Sequence, residues 1–379
     1  MDTIGIAMVG YGMIGRVHSL GYRDLPLYYP GQFPAPRLAA VCTSRPETAQ
    51  AAAQEAGFAA WTSDLNALLA LPGVDVVDCS VPNDQHKEVI LAAIAAGKHV
   101  YCEKPLAMNG AEAREIARAA QVGGVHFGMT FNYRFIPAIM RARQLIESGA
   151  LGQIYSYHAV FYHSGYQDPN RPLVWRMRRE RSGGGALVDL GSHIIDLMRY
   201  LLGEYEMVRC VTQTYVKERP VRAGSNQLAP VTVDDAAWLQ ARHATGAFGT
   251  LEVSRYATGT LDDLRFEIFG RHGALRFDLM DPNWLYYYDA SRPAEPLGGE
   301  RGWARLETVQ SYPGAASPPA RTVLGWTRTH AENQAAFLRA VAAGQEPVPG
   351  LVDGLRTQFV LDAAYASAES GEWVTVETE

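Results

Sequence analysis

Asp189 and His193 stand four residues apart in the segment GGGALVDLGSHIIDL, residues 183–197. An imidazole titrates near neutral pH, so it can take up or return the proton of a hydroxyl group. A carboxylate one helical turn away can grip a second hydroxyl beside it. At roughly 100° per residue, Leu187, Leu190, Ile194, Leu197 and Leu201 form one apolar stripe, and Asp189, His193, Asp196 and Tyr200 gather about 120° away from it. The spacing predicts a helix over 186–202 that buries its leucines and presents Asp189 and His193 together. Three glycines ahead of that helix would let backbone come close to a ligand, and Gly191 removes a side chain between the two. The residues alone leave two readings open: a catalytic pair, or an i,i+4 pair that merely stabilises its helix.

A second pattern, Gly10-Tyr11-Gly12-Met13-Ile14-Gly15, leaves an apolar run at 4–9 and enters a helix-like segment. In such a GxGxxG the first glycine permits a tight turn, the second lets a diphosphate reach the backbone, and the third packs helix on strand. The diphosphate then lies on the positive end of a helix dipole. The pattern predicts dinucleotide binding, against a purely structural glycine-rich turn. At the end of the second strand, Val41-Cys42-Thr43-Ser44-Arg45, the acid that would hold the ribose 2′-hydroxyl of NAD is missing, and none occurs before Glu47. Ser44 and Arg45 suit a 2′-phosphate instead, the guanidinium as a bidentate donor. The expectation is NAD(P), leaning to NADP, although Arg45 would also serve as an exposed helix-start residue.

The elements that must position these groups follow from periodicity. Strand-like runs at 4–9, 37–42, 75–80, 98–103 and 125–131 alternate with helical segments at 14–25, 47–56, 87–96 and 111–120. That rhythm implies a parallel sheet with helices on both faces, and it puts Lys104 at the carboxyl end of a strand, where such sheets bind ligands. After about residue 135 the texture changes. A helix at 137–147 precedes strands at 154–162, 207–215, 235–243, 247–256, 264–269 and 274–279, several joined by short turns, which indicates a mostly antiparallel sheet. The Pro- and Gly-rich stretch 290–325 reads as a long loop, and helices at 329–343 and 352–369 close the chain.

The 379 residues suit two domains, and 47% hydrophobic against 20% charged residues is an ordinary globular balance. A net charge of −6 argues against nucleic acid as a partner, and the short basic cluster at 176–181 is interrupted by Glu180. No apolar run approaches the roughly 18 residues of a membrane span, and the start of the chain lacks a basic leader. Cys42, Cys79, Cys102 and Cys210 show neither disulfide-framework nor CxxC spacing, which suits a reducing cytoplasmic setting. The histidines show no HExxH or similar spacing, so no metal is expected.

Tyr101-Cys102-Glu103-Lys104-Pro105-Leu106 adds a family likeness. A GxGxxG, then Pro82-Asn83 with His86, then Glu-Lys-Pro, then Asp189-x-x-x-His193, in that order, resembles the glucose–fructose oxidoreductase, inositol dehydrogenase and rhizopine-catabolism (Gfo/Idh/MocA) oxidoreductases over essentially the whole chain. Asn132-Tyr133-Arg134 and the run from Asp168 to Arg176 resemble, regionally, the sugar dehydrogenases of the levoglucosan dehydrogenase group, from which the Cys42–Arg45 segment departs. The resemblance implies an α/β chain: a Rossmann domain over 1–130 and a C-terminal α/β domain over 131–379, with a large, mostly antiparallel open sheet for substrate binding and oligomerisation. It implies a catalytic set of Lys104, Asp189 and His193. His193 would be the general base, Lys104 the donor to the reacting oxygen, and Asp189 the grip on a neighbouring hydroxyl. Pro82, Asn83, His86, Glu103, Trp175 and Arg176 would join Gly10, Gly12, Met13, Ile14, Gly15, Ser44 and Arg45 at the cofactor. Tyr133, Tyr162, His163 and Asp168 are candidate substrate contacts, with packing or loop roles as the alternative. The Tyr286-Tyr287-Tyr288 run suits a sheet or a subunit interface. The expected activity is hydride transfer between NAD(P) and a secondary alcohol or ketone of a sugar, anhydrosugar or cyclic polyol, in a homodimer or homotetramer. The alternatives are a nicotinamide-dependent glycosidase that oxidises its sugar transiently and, from another class, a cofactor-sensing regulator, which should have lost the Lys–Asp–His set that this chain retains.

Overall fold

The alternating apolar runs at the start of the chain become a six-stranded parallel sheet. The computed structural model describes residues 3–308 and 312–378. Its first sheet comprises β1 (Thr3–Val9), β2 (Ala35–Cys42), β3 (Ala60–Thr62), β4 (Val76–Cys79), β5 (His99–Cys102) and β6 (Phe127–Met129), in the order β3-β2-β1-β4-β5-β6. The central strands are nearly continuous buried apolar runs, as a sheet covered on both faces requires. The covering helices include α1 (Met13–Tyr28), α2 (Pro46–Ala56), α3 (Leu65–Leu69), α4 (His86–Ala95) and α5 (Gly110–Gly123). The strand order reverses beside β1, the position at which doubly wound sheets bind ligands past their carboxyl ends. Gly10, Ser44, Asn83 and Lys104 all follow such ends. The three-residue β3 and five-residue α3 are too short to leave a period in the sequence.

By contact density the chain forms two units, residues 3–135 with 312–358 and residues 136–308 with 359–378. The unbroken 131–379 domain expected from the sequence is thus interrupted. The helix Trp326–Ala343 returns to the first unit and packs on α1. Gly21 leaves the space that the Gln334 side chain fills, and the Gln334 amide donates to the carbonyl of His18 at 3.0 Å. Phe337 meets Tyr101 with ring centroids 5.2 Å apart. A sequence boundary cannot register a helix whose buried face was made for a sheet two hundred residues earlier.

The second unit is built on a nine-stranded sheet. Its strands are β7 (Ile154–Tyr162), β8 (Tyr205–Gln213), β11 (Ala236–His243), β12 (Phe248–Ser254), β13 (Asp263–Gly270), β14 (Gly273–Asp278), β15 (Trp284–Asp289), β16 (Trp303–Glu307) and β17 (Val374–Thr375). The small ribbon of β9 (Glu218–Pro220) and β10 (Leu228–Pro230) stands apart. The order is β16-β15-β14-β13-β7-β12-β11-β8-β17, antiparallel throughout except for the parallel pair β7 and β12. The stretch expected as a loop from 290 therefore contains β16, paired with β15; residues 309–311 of that stretch lie outside the described residues. No helix among the described residues is long and apolar enough to cross a membrane.

Candidate active site

The GxGxxG of the first unit separates into two kinds of glycine. Gly10 has φ +89°, its N–H donates to Cys42 O at 2.9 Å, and a Cβ there would lie 2.5 Å from Ser80 O. A Cβ at Gly15 would lie 2.7 Å from Gly10 O. Both glycines are required by the chain's own packing. Gly12 is not: its φ is −79°, and a Cβ there would meet nothing within 4 Å. Open space above Gly12, at the N-terminus of a sixteen-residue helix with no side-chain cap and no acid in its first turn, fits a diphosphate. Met13 is exposed and Ile14 half-buried beside it. Ser44 and Arg45 are exposed at the end of β2, where the Arg45 carbonyl accepts from the Thr43 and Thr48 hydroxyls at 3.0 and 2.9 Å. Pro82 leads into a single turn, Asn83–Gln85, and Asn83 is buried.

His86 differs from its expected cofactor role. It is fully buried, with Nδ1 2.8 Å from Pro105 O and Nε2 3.0 Å from Val81 O, and burial lowers its pKa. The ring ties the exit of β4 to the Lys104-Pro105 turn rather than facing a ligand. Glu103 Oε2 accepts the backbone N–H of Lys104 at 3.2 Å, and Oε1 lies 3.2 Å from Nε2 of His18. Burial would raise the Glu103 pKa, but His18, then Lys104 and His330, outweigh it and hold the carboxyl at about 2. Tyr133 is buried within the turn Asn132–Phe135. Two groupings of metal-ligating side chains form here that no sequence spacing announced: His18 with Glu103 and His330, and Cys79 with His86 and Cys102. In the second, both His86 nitrogens already face carbonyls, and burial pushes the Cys102 thiol well up.

In the second unit, the predicted helix forms as a π-turn, Leu187–Gly191, running into the α-helix Ser192–Leu202. π-turns recur at functional sites. Leu187, Leu190, Ile194, Leu197 and Leu201 are all buried, as their stripe predicts, and Asp189 and His193 are half-buried. Asp196, expected beside them, is buried. The triple glycine serves a different purpose from the expected one. A Cβ at Gly185 would lie 1.7 Å from Asp234 O, and one at Gly184 would lie 2.0 Å from the Tyr365 hydroxyl. The Asp234 carboxylate accepts the N–H of Gly185 at 2.9 Å and of Leu187 at 2.8 Å, and Tyr365 donates to it at 2.6 Å. The glycines admit an internal anion that satisfies the helix start, the place where negative charge is favourable.

Arg255, which nothing in the sequence singled out, holds Asp189. The guanidinium is 2% exposed, donates to Asp189 Oδ2 at 2.9 Å and to the Arg176 carbonyl at 3.3 Å, and lies over the Tyr166 ring. Arg176 in turn stacks on Trp175, its Cζ 4.3 Å from the ring centroid. One buried cation thus fixes both the helix carboxylate and the Trp175-Arg176 turn. Arg255→Ala is expected to lower kcat/KM roughly a hundredfold, the scale of a displaced reacting group, with Arg255→Lys recovering part of the loss. Steady-state kinetics with Tm measured alongside check this, because a plain folding defect would lower Tm without that partial recovery.

The other substrate candidates diverge. The Phe161 ring meets His193 edge-on at 6.1 Å, and His163 lies beyond Phe161 with Nε2 3.0 Å from Asp262. Strand alternation puts Tyr162 on the opposite sheet face from Phe161. There it lines a cavity of about 410 Å³ with Tyr215, Trp238, Glu252, Ser254, Tyr256 and Ala257. Asp168 is exposed, and its carboxylate accepts the N–H of Asn170 at 2.8 Å, closing its own turn. Tyr162 therefore lies on the sheet face opposite Phe161 and His193, and the Asp168 carboxylate is engaged in its own turn.

Comparison with known proteins places the chain in a family. The family model described as "Oxidoreductase family, NAD-binding Rossmann fold" matches residues 4–131, and the GFO/IDH/MocA C-terminal domain matches 139–276. The chain is 34% identical to levoglucosan dehydrogenase of Pseudarthrobacter phenanthrenivorans over 99% of both chains. It is 26% identical to inositol 2-dehydrogenase of Rhizobium meliloti, also over 99% of both. The solved structure of a levoglucosan dehydrogenase in complex with NADH and levoglucosan superposes with a TM-score of 0.93 at 34% identity, covering 100% of each chain.

Proposed function

Because the chain belongs to the GFO/IDH/MocA oxidoreductase family, with an NAD-binding Rossmann domain at its start, we propose that it oxidises a ring secondary hydroxyl of a sugar, anhydrosugar or cyclic polyol. The observation that carries this reading is the half-exposed Asp189–His193 pair on a buried helix, with Asp189 fixed by Arg255. The full-length likeness to levoglucosan dehydrogenase and to inositol 2-dehydrogenase supports a ring polyol as the substrate class.

Bound nicotinamide supplies the acceptor for the hydride that leaves the hydroxyl-bearing carbon. His193 takes the hydroxyl proton as the carbonyl forms, and returns it in the reverse direction. Lys104 donates from its ammonium to the same oxygen and stabilises the negative charge that develops there. Asp189 accepts from a neighbouring hydroxyl and so sets which carbon reacts. Glu103 orients the Lys104 backbone, and Trp175 with Arg176 borders the nicotinamide end of the cofactor.

For the cofactor, exposed Ser44 and Arg45, with no acid at the end of β2, support acceptance of a 2′-phosphate; the likeness to a levoglucosan dehydrogenase solved in complex with NADH supports NAD. We therefore propose NAD(P) with Arg45 as the determinant of NADP use. Arg45→Asp is expected to raise KM for NADP about tenfold or more, one charge-assisted contact, and to leave KM for NAD within about twofold. Equal changes for both cofactors would remove Arg45 from that role. The open sheet face carries exposed Trp238, Phe248 and Val211, and Tyr286 and Tyr288 alternate toward the side of Arg305 and Trp303. That face supports pairing with a second copy, which sedimentation measures directly.

A further inference from the structure

Behind Lys104, the first unit contains a buried line of ionisable groups, of which the reaction as described uses only Glu103. His18 is fully buried on α1. Its Nδ1 is 3.0 Å from both carboxylate oxygens of Asp78, and its Nε2 is 3.2 Å from Oε1 of Glu103. Asp78, also fully buried, further accepts from the Tyr22 hydroxyl at 3.0 Å and the Ser80 hydroxyl at 2.8 Å. Glu103 accepts the backbone N–H of Lys104 through its other oxygen. Tyr101 and His330 close the surroundings of the His18 ring, at centroid distances of 5.4 and 5.5 Å.

An imidazole with a carboxylate against each nitrogen satisfies both only when both nitrogens carry hydrogen. With two carboxylates, the imidazolium and the Lys104 ammonium, the line is neutral overall, the condition under which buried charges persist. Resting on the catalytic role of Lys104, we propose that His18, anchored by Asp78, is a positioning residue: it holds the Glu103 carboxylate beneath the Lys104 turn, and so fixes where the Lys104 ammonium meets the substrate.

Burial alone would lower the His18 pKa, but Asp78 and Glu103 outweigh it and raise it to about 10. His330, by contrast, is pushed down to about 3 by burial and by the charge of His18, so it faces the line as a neutral ring. Because the His18 pKa is raised on folding, its stabilising contribution is complete below the ordinary histidine value and is lost only as pH rises through about 10. Asp78→Asn removes the charge that holds the proton, and its amide keeps a similar shape.

The test compares the wild-type chain with Lys104→Ala, Asp78→Asn and His18→Gln by steady-state kinetics from about pH 6 to pH 9, with 15N NMR of the histidine rings. Lys104→Ala is the control for the underlying reading, and an unchanged kcat in that variant alone would remove it. Given a Lys104 effect, His18→Gln should lower kcat roughly tenfold to a hundredfold with KM within about threefold. The Asp78→Asn to wild-type ratio of kcat should fall with rising pH and recover at low pH. The wild-type His18 ring should show two protonated nitrogens across the range. A neutral His18 ring at pH 8, a pH-independent Asp78→Asn ratio, or stoichiometric zinc lost in His330→Ala would each overturn the proposal. In the last case Nε2 would be deprotonated, its lone pair facing a metal in place of an N–H in an ion pair with Glu103.

Discussion

His193→Ala is expected to lower kcat for polyol oxidation by about 10²–10⁴-fold, the usual contribution of a general base, with NADH affinity unchanged. The two quantities separate because the glycine cradle and His193 belong to different units of the chain. His193 is half-buried and meets Phe161 edge-on outside the packed leucine stripe of its helix, so the variant's Tm should move little. Added imidazole should restore part of the rate by taking the proton in place of the missing side chain. Fluorescence titration of NADH, kcat and imidazole rescue together make the check. A fall in rate with proportionate loss of NADH binding or of Tm would assign His193 to structure instead.

Gly12→Ala and Gly10→Ala are expected to fail in opposite ways. Gly12 has ordinary φ and empty space around it, so its alanine variant should fold with stability within about 0.5 kcal/mol of the parent. Its NADH dissociation constant should nevertheless rise roughly 10–100-fold, because the methyl group occupies the approach of the diphosphate. Gly10 has φ +89° and only 2.5 Å to a backbone carbonyl, so alanine there should cost about 3 kcal/mol of stability. Thermal melts beside NADH titrations read both effects. An alanine at Gly12 that binds NADH normally would mean that the cradle is not the diphosphate site.

What local pattern determines was legible in the chain. The apolar period of 3.6 located the helix bearing Asp189 and His193, and alternation located β7 and β11–β14 to within a few residues. The GxGxxG and Glu-Lys-Pro motifs could be picked out because the residues of each are contiguous, and the NAD-binding Rossmann family model covers both. Long-range partners were hidden. Arg255 is 66 residues from the Asp189 it holds, and His18 is 60 from Asp78. The triple glycine looked like room for a ligand, whereas it is room for Asp234, which lies 49 residues on from Gly185. A run of glycines states that something approaches closely without stating what. His86, Asp168 and Tyr162 carry polar groups suited to ligands, but the fold directs them to backbone carbonyls, a turn and the far sheet face. The return of residues 312–358 to the first unit was equally invisible, since a buried helical face does not name the surface it covers.

The central claim is hydride transfer from a ring carbon. Its most direct test is incubation of the wild-type protein with NAD and ring-deuterated sugars, anhydrosugars and inositols, with the nicotinamide followed by mass spectrometry. The account predicts reduced nicotinamide carrying one deuterium per ketone formed. Sugar consumed by cleavage with no net reduction of nicotinamide would contradict it.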